Sequence, residues 1–297
     1  MVHACGVVTD STAYLPRELA LRHAIEVVPL EVVVGGVPSP EGDVSPEDLA
    51  GALRRWTPVS TSRPAPSALL AAYQRLQDAG AREIVSVHLS GEMSGTCSAA
   101  RLAARSCPVP VHVVDSRQLG MGLGYAALAA AATLERGGTA EEATEAARRR
   151  AAATRGFFYV DTLEHLRRGG RIGSAQALIG TALAVKPLLH VVDGRVAPLE
   201  RVRTSARALA RLLELGVAAV PGAAAGAVPV EVTVHHLASG RRAEELAARL
   251  AERLHAALRP PGLPPRVIEL GAVVGAHVGP GTVAVVVAPA LAPSRRA

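Results

Sequence analysis

Short β-rich runs and longer helical patterns alternate through the first half of the chain. "CGVVTDS" leads into "LPRELALRHA", then "IEVVPLEVVV", then the amphipathic "PSALLAAYQRLQDAG"; "EIVSVHLS" leads into "SGTCSAARLAARS", and "PVHVVDS" into "GYAALAAAATLERG". Strands that alternate with helices, with glycines closing the helices, predict βαβ units around a parallel sheet. Right-handed crossovers gather the loops after the strands along one edge, where an open α/β sheet binds ligands. Those loops are "TDST", "HLSGEMSGT" and "VDSRQLGMG", all rich in hydroxyls and glycine.

The second half reads differently. "PLLHVVDGRVAP" predicts a hairpin turning at Asp193-Gly194. "VEVTVHHL", "RVIELGAVVGAHVG" and "TVAVVVAP" read as further strands, interleaved with the helical "SARALARLLELG" and "GRRAEELAARLAERLHAAL". The expected architecture is a two-domain α/β protein: an N-terminal parallel-sheet domain over 1–155, a C-terminal domain with a mixed sheet over 156–291, and a tail over 292–297. "AAVPGAAAGAVP", 218–229, reads as a loop.

Composition narrows the function classes. At 49% hydrophobic and 20% charged residues, the 297-residue chain is globular. Its net charge of +6 comes from scattered arginines, and aromatics are only 2%, which disfavours nucleic acid as a partner. Lys186 is the only lysine. Three isolated cysteines, Cys5, Cys97 and Cys107, favour neither a disulfide framework nor a zinc site and fit a cytoplasmic protein. No transmembrane segment is expected, because the longest apolar run, "YAALAAAATL", is too short to span a bilayer. Metal is disfavoured too: the ten histidines show no H-E-x-x-H, and His235-His236 are adjacent.

The serine-rich loops then admit several chemistries. Residues 90–96 lack the Gly-Lys-Ser/Thr ending of a phosphate loop, and "GMGLG", 120–124, lacks the third glycine of a dinucleotide fingerprint and reads as a tight strand-to-helix turn. "GEMSG" misses the G-x-S-x-G nucleophile elbow by one place. It leaves a serine hydrolase with Ser94, His277 and Asp115 as the alternative function, acting on acyl esters. A carboxylate fits better. A helix start offers free N–H groups, and Ser94, Thr96 and the cluster Ser60, Thr61, Ser62 add hydroxyl donors beyond what capping by Ser67 and Ser94 accounts for.

These segments resemble a known family. "VVTDSTAYLP", "TSRPAPSALLAAY", "LSGEMSGTCSAA", "VVDSRQLGMGLG", "DTLEHLRRGGRIG", "VKPLL" and "GAHVGPGTVAV" follow the order and near spacing of the DegV family, bacterial fatty-acid-binding proteins that include the fatty-acid-binding subunit of fatty acid kinase. The resemblance implies two α/β domains, with a fatty acid carboxylate at their interface and the acyl chain in a tunnel of the C-terminal domain. It implies no catalytic residue and no cofactor beyond the bound long-chain fatty acid. The carboxylate-binding residues it implies are Thr61 or Ser62, Ser94 and His277. The chain departs from the family pattern at Tyr14, Arg63, Cys97 and Ala184-Val185. Arg63 has two readings, a charge partner for the head group or a solvated side chain.

Burying a sixteen-carbon chain at about 0.8 kcal/mol per CH₂ offers on the order of 10 kcal/mol before ordering costs. The carboxylate cannot enter a dry tunnel unpaired, so it stops at the hydroxyl loops. Arg171 in "RRGGRIG" and Arg203 in "ERVRTSAR" are either solvated or contacts for an acidic partner. The resemblance favours the latter for Arg203, with a fatty acid kinase as the partner.

Overall fold

The computed structural model describes residues 4–178, 186–221, 228–261 and 263–291. In chain order the elements are β1 (Cys5–Asp10), α1 (Arg17–Arg22), β2 (Ile25–Val28), β3 (Glu31–Val34), β4 (Val37–Pro40), α2 (Pro46–Arg54), β5 (Val59–Ser62), α3 (Pro66–Asp78), β6 (Glu83–His88), α4 (Thr96–Ala104), β7 (Val111–Asp115), α5 (Met121–Glu135), α6 (Ala140–Ala153), β8 (Arg155–Tyr159), α7 (Glu164–Arg168), β9 (Lys186–Val192), β10 (Arg195–Val202), α8 (Ser205–Ala218), β11 (Val230–His236), α9 (Gly240–Leu254), β12 (Arg266–Glu269), α10 (Ala272–Val278) and β13 (Val283–Pro289).

The chain divides into two compact units. The first is built from Met1–Glu31 and Ser62–Ala153, the second from Val32–Thr61 and Thr154–Ala290. Residues 32–61, read from sequence as part of the N-terminal domain, therefore cluster with the second half of the chain. The physical reason lies in "IEVVPLEVVV", which reads as one strand. Pro29 has no N–H to donate and divides it, so β2 joins the first unit's sheet while β3 joins a separate three-stranded sheet, β4-β3-β5.

In the first unit the sheet order is β2-β1-β6-β7, parallel throughout. Tyr73 and Leu69 of α3 and Ala99, Ala100 and Ala103 of α4 cover one side of its core, packing on Val8, Val28 and Ile84. Helix α5 is buried on nearly every face, as its unbroken alanine-rich run demands. "GMGLG" is the expected turn: Gly120 adopts φ 59 and ψ −149, open to glycine alone, and α5 begins at Met121.

The second unit's main sheet runs β10-β9-β8-β13-β11-β12, antiparallel except for β11 with β12. The Asp193-Gly194 turn is as expected, with φ 51 and 77 at the two residues and Arg195 opposite Val192. "RVIELGAVVGAHVG" is corrected. Only Arg266–Glu269 is strand; Ala272–Val278 forms helix α10, because a short apolar run fits a buried helix as well as a strand. The main-chain N–H of Val273, in the first turn of α10, donates to the buried Glu41 Oε1 at 2.8 Å. Helix α10 packs closely on α2, where a Cβ on Gly275 would lie 2.5 Å from Leu49 Cδ2.

Two capping expectations are also corrected. Pro66 occupies the first position of α3, so the cap falls on Ala65 and Ser67 lies inside the helix. The cap of α4 is Gly95, with Ser94 one place before it. Ala184-Val185, residues 222–227 of the loop reading and the 292–297 tail lie outside the described residues.

Candidate functional site

In the first unit the strand order reverses direction of growth between β1 and β6, the place where an open parallel sheet forms a ligand crevice. The side chains there are Asp10, at the end of β1, and His88, at the end of β6; both are fully buried. Asp10 Oδ2 is 2.9 Å from His88 Nδ1 and accepts from the Leu89 N–H at 3.0 Å, while Asp10 Oδ1 accepts from the Thr12 N–H and hydroxyl. His88 Nε2 lies 2.7 Å from Ser86 Oγ, and Ser86 Oγ lies 2.9 Å from the Tyr73 hydroxyl. One hydrogen-bond arrangement satisfies every atom: Tyr73 donates to Ser86, Ser86 to His88 Nε2, and His88 Nδ1–H to Asp10. Burial pushes the Tyr73 hydroxyl up to about 12, so it remains a donor. The chain Asp–His–Ser has the connectivity of a hydrolase triad, but Ser86 is sealed from substrate.

Above this base stands the serine turn. Ser90 O accepts from the N–H groups of Met93 and Ser94, and Asp115 accepts from the Gly91 N–H at 3.2 Å. Ser94 Oγ sits 2.9 Å from Thr96 Oγ1. Asp115 also accepts from the Arg117 N–H at 2.9 Å. Ser94 and Asp115 are thus engaged locally, and among the described residues no imidazole hydrogen-bonds to Ser94. Arg63 extends over the same turn; a Cβ on Gly95 would meet its Nη1 at 2.8 Å. The exposed Ser62 hydroxyl donates only to the neighbouring Arg63 carbonyl at 3.2 Å.

The second unit brings Thr61 and His277 together across 216 residues of sequence, with Thr61 Oγ1 2.8 Å from His277 Nε2. Both line a cavity of about 610 Å³, within the range of small-molecule pockets. Val33, Leu53, Val59 and Ala276 supply its apolar wall, and Arg168 and Arg171 its positive charge. Burial, reinforced by the Arg171 charge, lowers the His277 imidazole to about 4, so the ring is neutral at pH 7. Its Nδ1 is buried, with no hydrogen-bond partner among the described residues.

At the cavity mouth Trp56, the only tryptophan, is 57% exposed and held at φ 58, a backbone region an indole-bearing residue rarely adopts. Its ring stacks on His165, with centroids 6.1 Å apart, and the Arg168 guanidinium lies over it at 4.5 Å. Glu164 anchors that arginine, accepting from Arg168 Nε at 2.6 Å.

Of the residues chosen from sequence, the structure joins Thr61 with His277 in the second unit; Ser62 and Ser94 belong to the first. Arg171 lines the cavity and donates to Gly169 O at 2.7 Å, and Arg203 is exposed at the start of α8. The single lysine has a structural partner: Lys186 Nζ donates to Asp161 Oδ1 at 3.0 Å and to its carbonyl at 3.1 Å. Sequence reading missed the Asp10–His88 pair and the Trp56 stack. The signal for the first was a histidine two residues after a serine at the end of a strand that is otherwise mostly apolar. Among the described residues no group of three or more His, Cys, Asp or Glu could hold a metal, and no helix is long and apolar enough to cross a membrane.

Comparison with known proteins gives a consistent result. The model of the family described as "Uncharacterised protein, DegV family" matches residues 4–290. A DegV domain-containing protein of Streptomyces coelicolor is 54% identical over 284 residues, covering 95% of this chain and 97% of the relative. Among solved structures, a DegV family protein from Thermus thermophilus, described by its fatty acid binding, superposes with a TM-score of 0.84 at 33% identity, covering 96% of this chain and 99% of that one. DegV of Bacillus subtilis, described as a fatty acid binding protein, gives 0.84 at 30% identity, with the same coverage.

Proposed function

Because the chain belongs to the DegV family, we propose that it binds a long-chain fatty acid such as palmitate, and that the Thr61–His277 pair receives the carboxylate through the Thr61 hydroxyl. The observation that carries this reading is the cavity in which the Thr61–His277 pair meets an apolar wall. A carboxylate accepting hydrogen bonds from hydroxyls escapes the cost of burying a bare charge, while Val33, Leu53 and Ala276 offer the acyl chain an apolar surface. Arg168 and Arg171 add favourable potential without a direct ion pair that would have to be broken on release. The relatives from T. thermophilus and B. subtilis, described as fatty acid binding, support the same ligand class. Thr61 is the principal contact rather than Ser62, whose hydroxyl is exposed and turned to a local carbonyl. Ser94 is the candidate hydroxyl of the first unit.

The role is that of a carrier rather than an enzyme, and a fatty acid kinase that phosphorylates the bound carboxylate is the proposed partner. The test is mass spectrometry of an organic extract of the purified protein, followed by titration with palmitate. The expected result is close to one fatty acid per chain, C14 to C18. Trace lipid only, with no binding of added palmitate, overturns the reading.

A further inference from the structure

Two histidines on different helices pack against each other's glycines. A Cβ on Gly169, just after α7, would lie 2.0 Å from His277 Nδ1; a Cβ on Gly279, just after α10, would lie 2.1 Å from Cδ2 of His165, which α7 carries. Gly279 also needs its glycine for φ 77, but Gly169 has an ordinary φ of −73. Nothing in the backbone at 169 demands glycine. Only the ring does.

We infer that Gly169 is a positioning residue: it seats His277 with Nδ1 against the main chain, and so selects the Nε2–H tautomer that leaves the Thr61 hydroxyl hydrogen free for an anionic ligand. Nδ1 is buried without a hydrogen-bond partner among the described residues. A proton there would be an orphaned buried donor, which native structures rarely keep. Arg171, donating to Gly169 O, brings positive charge to the glycine that covers Nδ1, which favours a lone pair over an N–H. The proton therefore resides on Nε2 and is donated to Thr61 Oγ1 across 2.8 Å. A threonine hydroxyl has one hydrogen and two lone pairs. With a lone pair engaged by Nε2–H, its hydrogen can turn into the cavity and donate. In the opposite tautomer Thr61 would direct that hydrogen at Nε2 and present only lone pairs, which repel a carboxylate.

This inference rests on the fatty acid reading for its ligand but not for its first test. Nitrogen-15 NMR of the histidine rings in ligand-free wild type at pH 7 reads the tautomer directly, with His277 identified as the resonance missing from His277→Ala. Nε2 protonated and Nδ1 bare is the expected result; a protonated Nδ1 overturns the inference, whatever the protein binds. The second test is a double-mutant cycle on palmitate affinity, in variants shown to be folded by circular dichroism. Gly169→Ala should weaken binding at least tenfold and shift the His277 resonance. In the His277→Ala background the same change should cost nothing further, because its effect passes through the ring. Wild-type affinity in Gly169→Ala, or additive losses in the double variant, overturns the positioning role. Failure of wild type itself to bind palmitate would instead remove the fatty acid reading and leave the tautomer result standing.

Discussion

His88 in the first unit and His277 in the second make the same first contact, a hydroxyl 2.7 or 2.8 Å from Nε2. They differ at Nδ1. His88 has Asp10 there at 2.9 Å, and Asp10 in turn is met by Leu89 and Thr12. His277 Nδ1 lies against the backbone of Gly169 and has no hydrogen-bond partner among the described residues. A buried polar network with every member satisfied rigidifies its surroundings and invites no ligand. One that ends in an unpaired nitrogen beside a cavity has a chemical preference still to express.

The sharpest way to break it is to remove each ring. His88→Ala should destabilise the fold by about 3 kcal/mol, since it opens a cavity and takes one donor from the buried Asp10. His277→Ala should cost about 1 kcal/mol in stability yet weaken palmitate binding more than tenfold. Urea unfolding and calorimetric titration would check both, and equal stability losses would erase the distinction. Next in size is pH. Burial holds His235 and His277 at about 4 in the fold against an ordinary 6.5. Between those values the unfolded chain binds the extra protons, so stability is full above pH 6.5 and declines as pH falls toward 4. Each ring contributes about 1.4 kcal/mol per pH unit. A melting temperature that stays level from pH 7 to pH 4.5 would show the rings to be solvated.

Smaller effects sharpen the contrast within the hydroxyl loops. Ser94→Ala should weaken palmitate binding roughly tenfold, the value of a hydrogen bond to a charged group, whereas Ser67→Ala, inside α3, should leave it unchanged. Equal affinities in the two folded variants would remove Ser94 from the site. The least change is expected for the exposed Arg203. Arg203→Ala should bind palmitate as wild type does but slow acyl-phosphate formation when a cognate kinase and ATP are supplied. If its palmitate affinity falls, the arginine serves the pocket and not docking.

Local rules were enough for much of the fold. The βα alternation, the Asp193-Gly194 hairpin and the Gly120 turn all follow from periodicity and turn chemistry within a few residues. Pro29 was visible as a breaker, but nothing nearby tells that β3 leaves the first unit, because α10, which covers Val32, lies more than two hundred positions away. Helix α10 was missed for a related reason: a seven-residue run with six residues buried satisfies either period. Thr61 already stood in a hydroxyl cluster, but placing it with His277 at one carboxylate site came from family resemblance, since their contact spans 216 positions. The Asp10–His88 pair could have been suspected, as a histidine in a doubly buried strand needs a partner.

The excursion of residues 32–61 also bears on synthesis. Val32, Leu49 and Leu53 emerge early from the ribosome, but the residues that cover them, Leu237, Ala272 and Ala276, are made about two hundred positions later. At roughly 5–20 residues per second their apolar faces wait on the order of 10–40 s for partners. During that interval the nascent chain carries an uncovered apolar segment between the strands of its first unit. Trigger-type holdases therefore have a defined window, and a slow codon cluster placed between Leu53 and Leu237 would lengthen it.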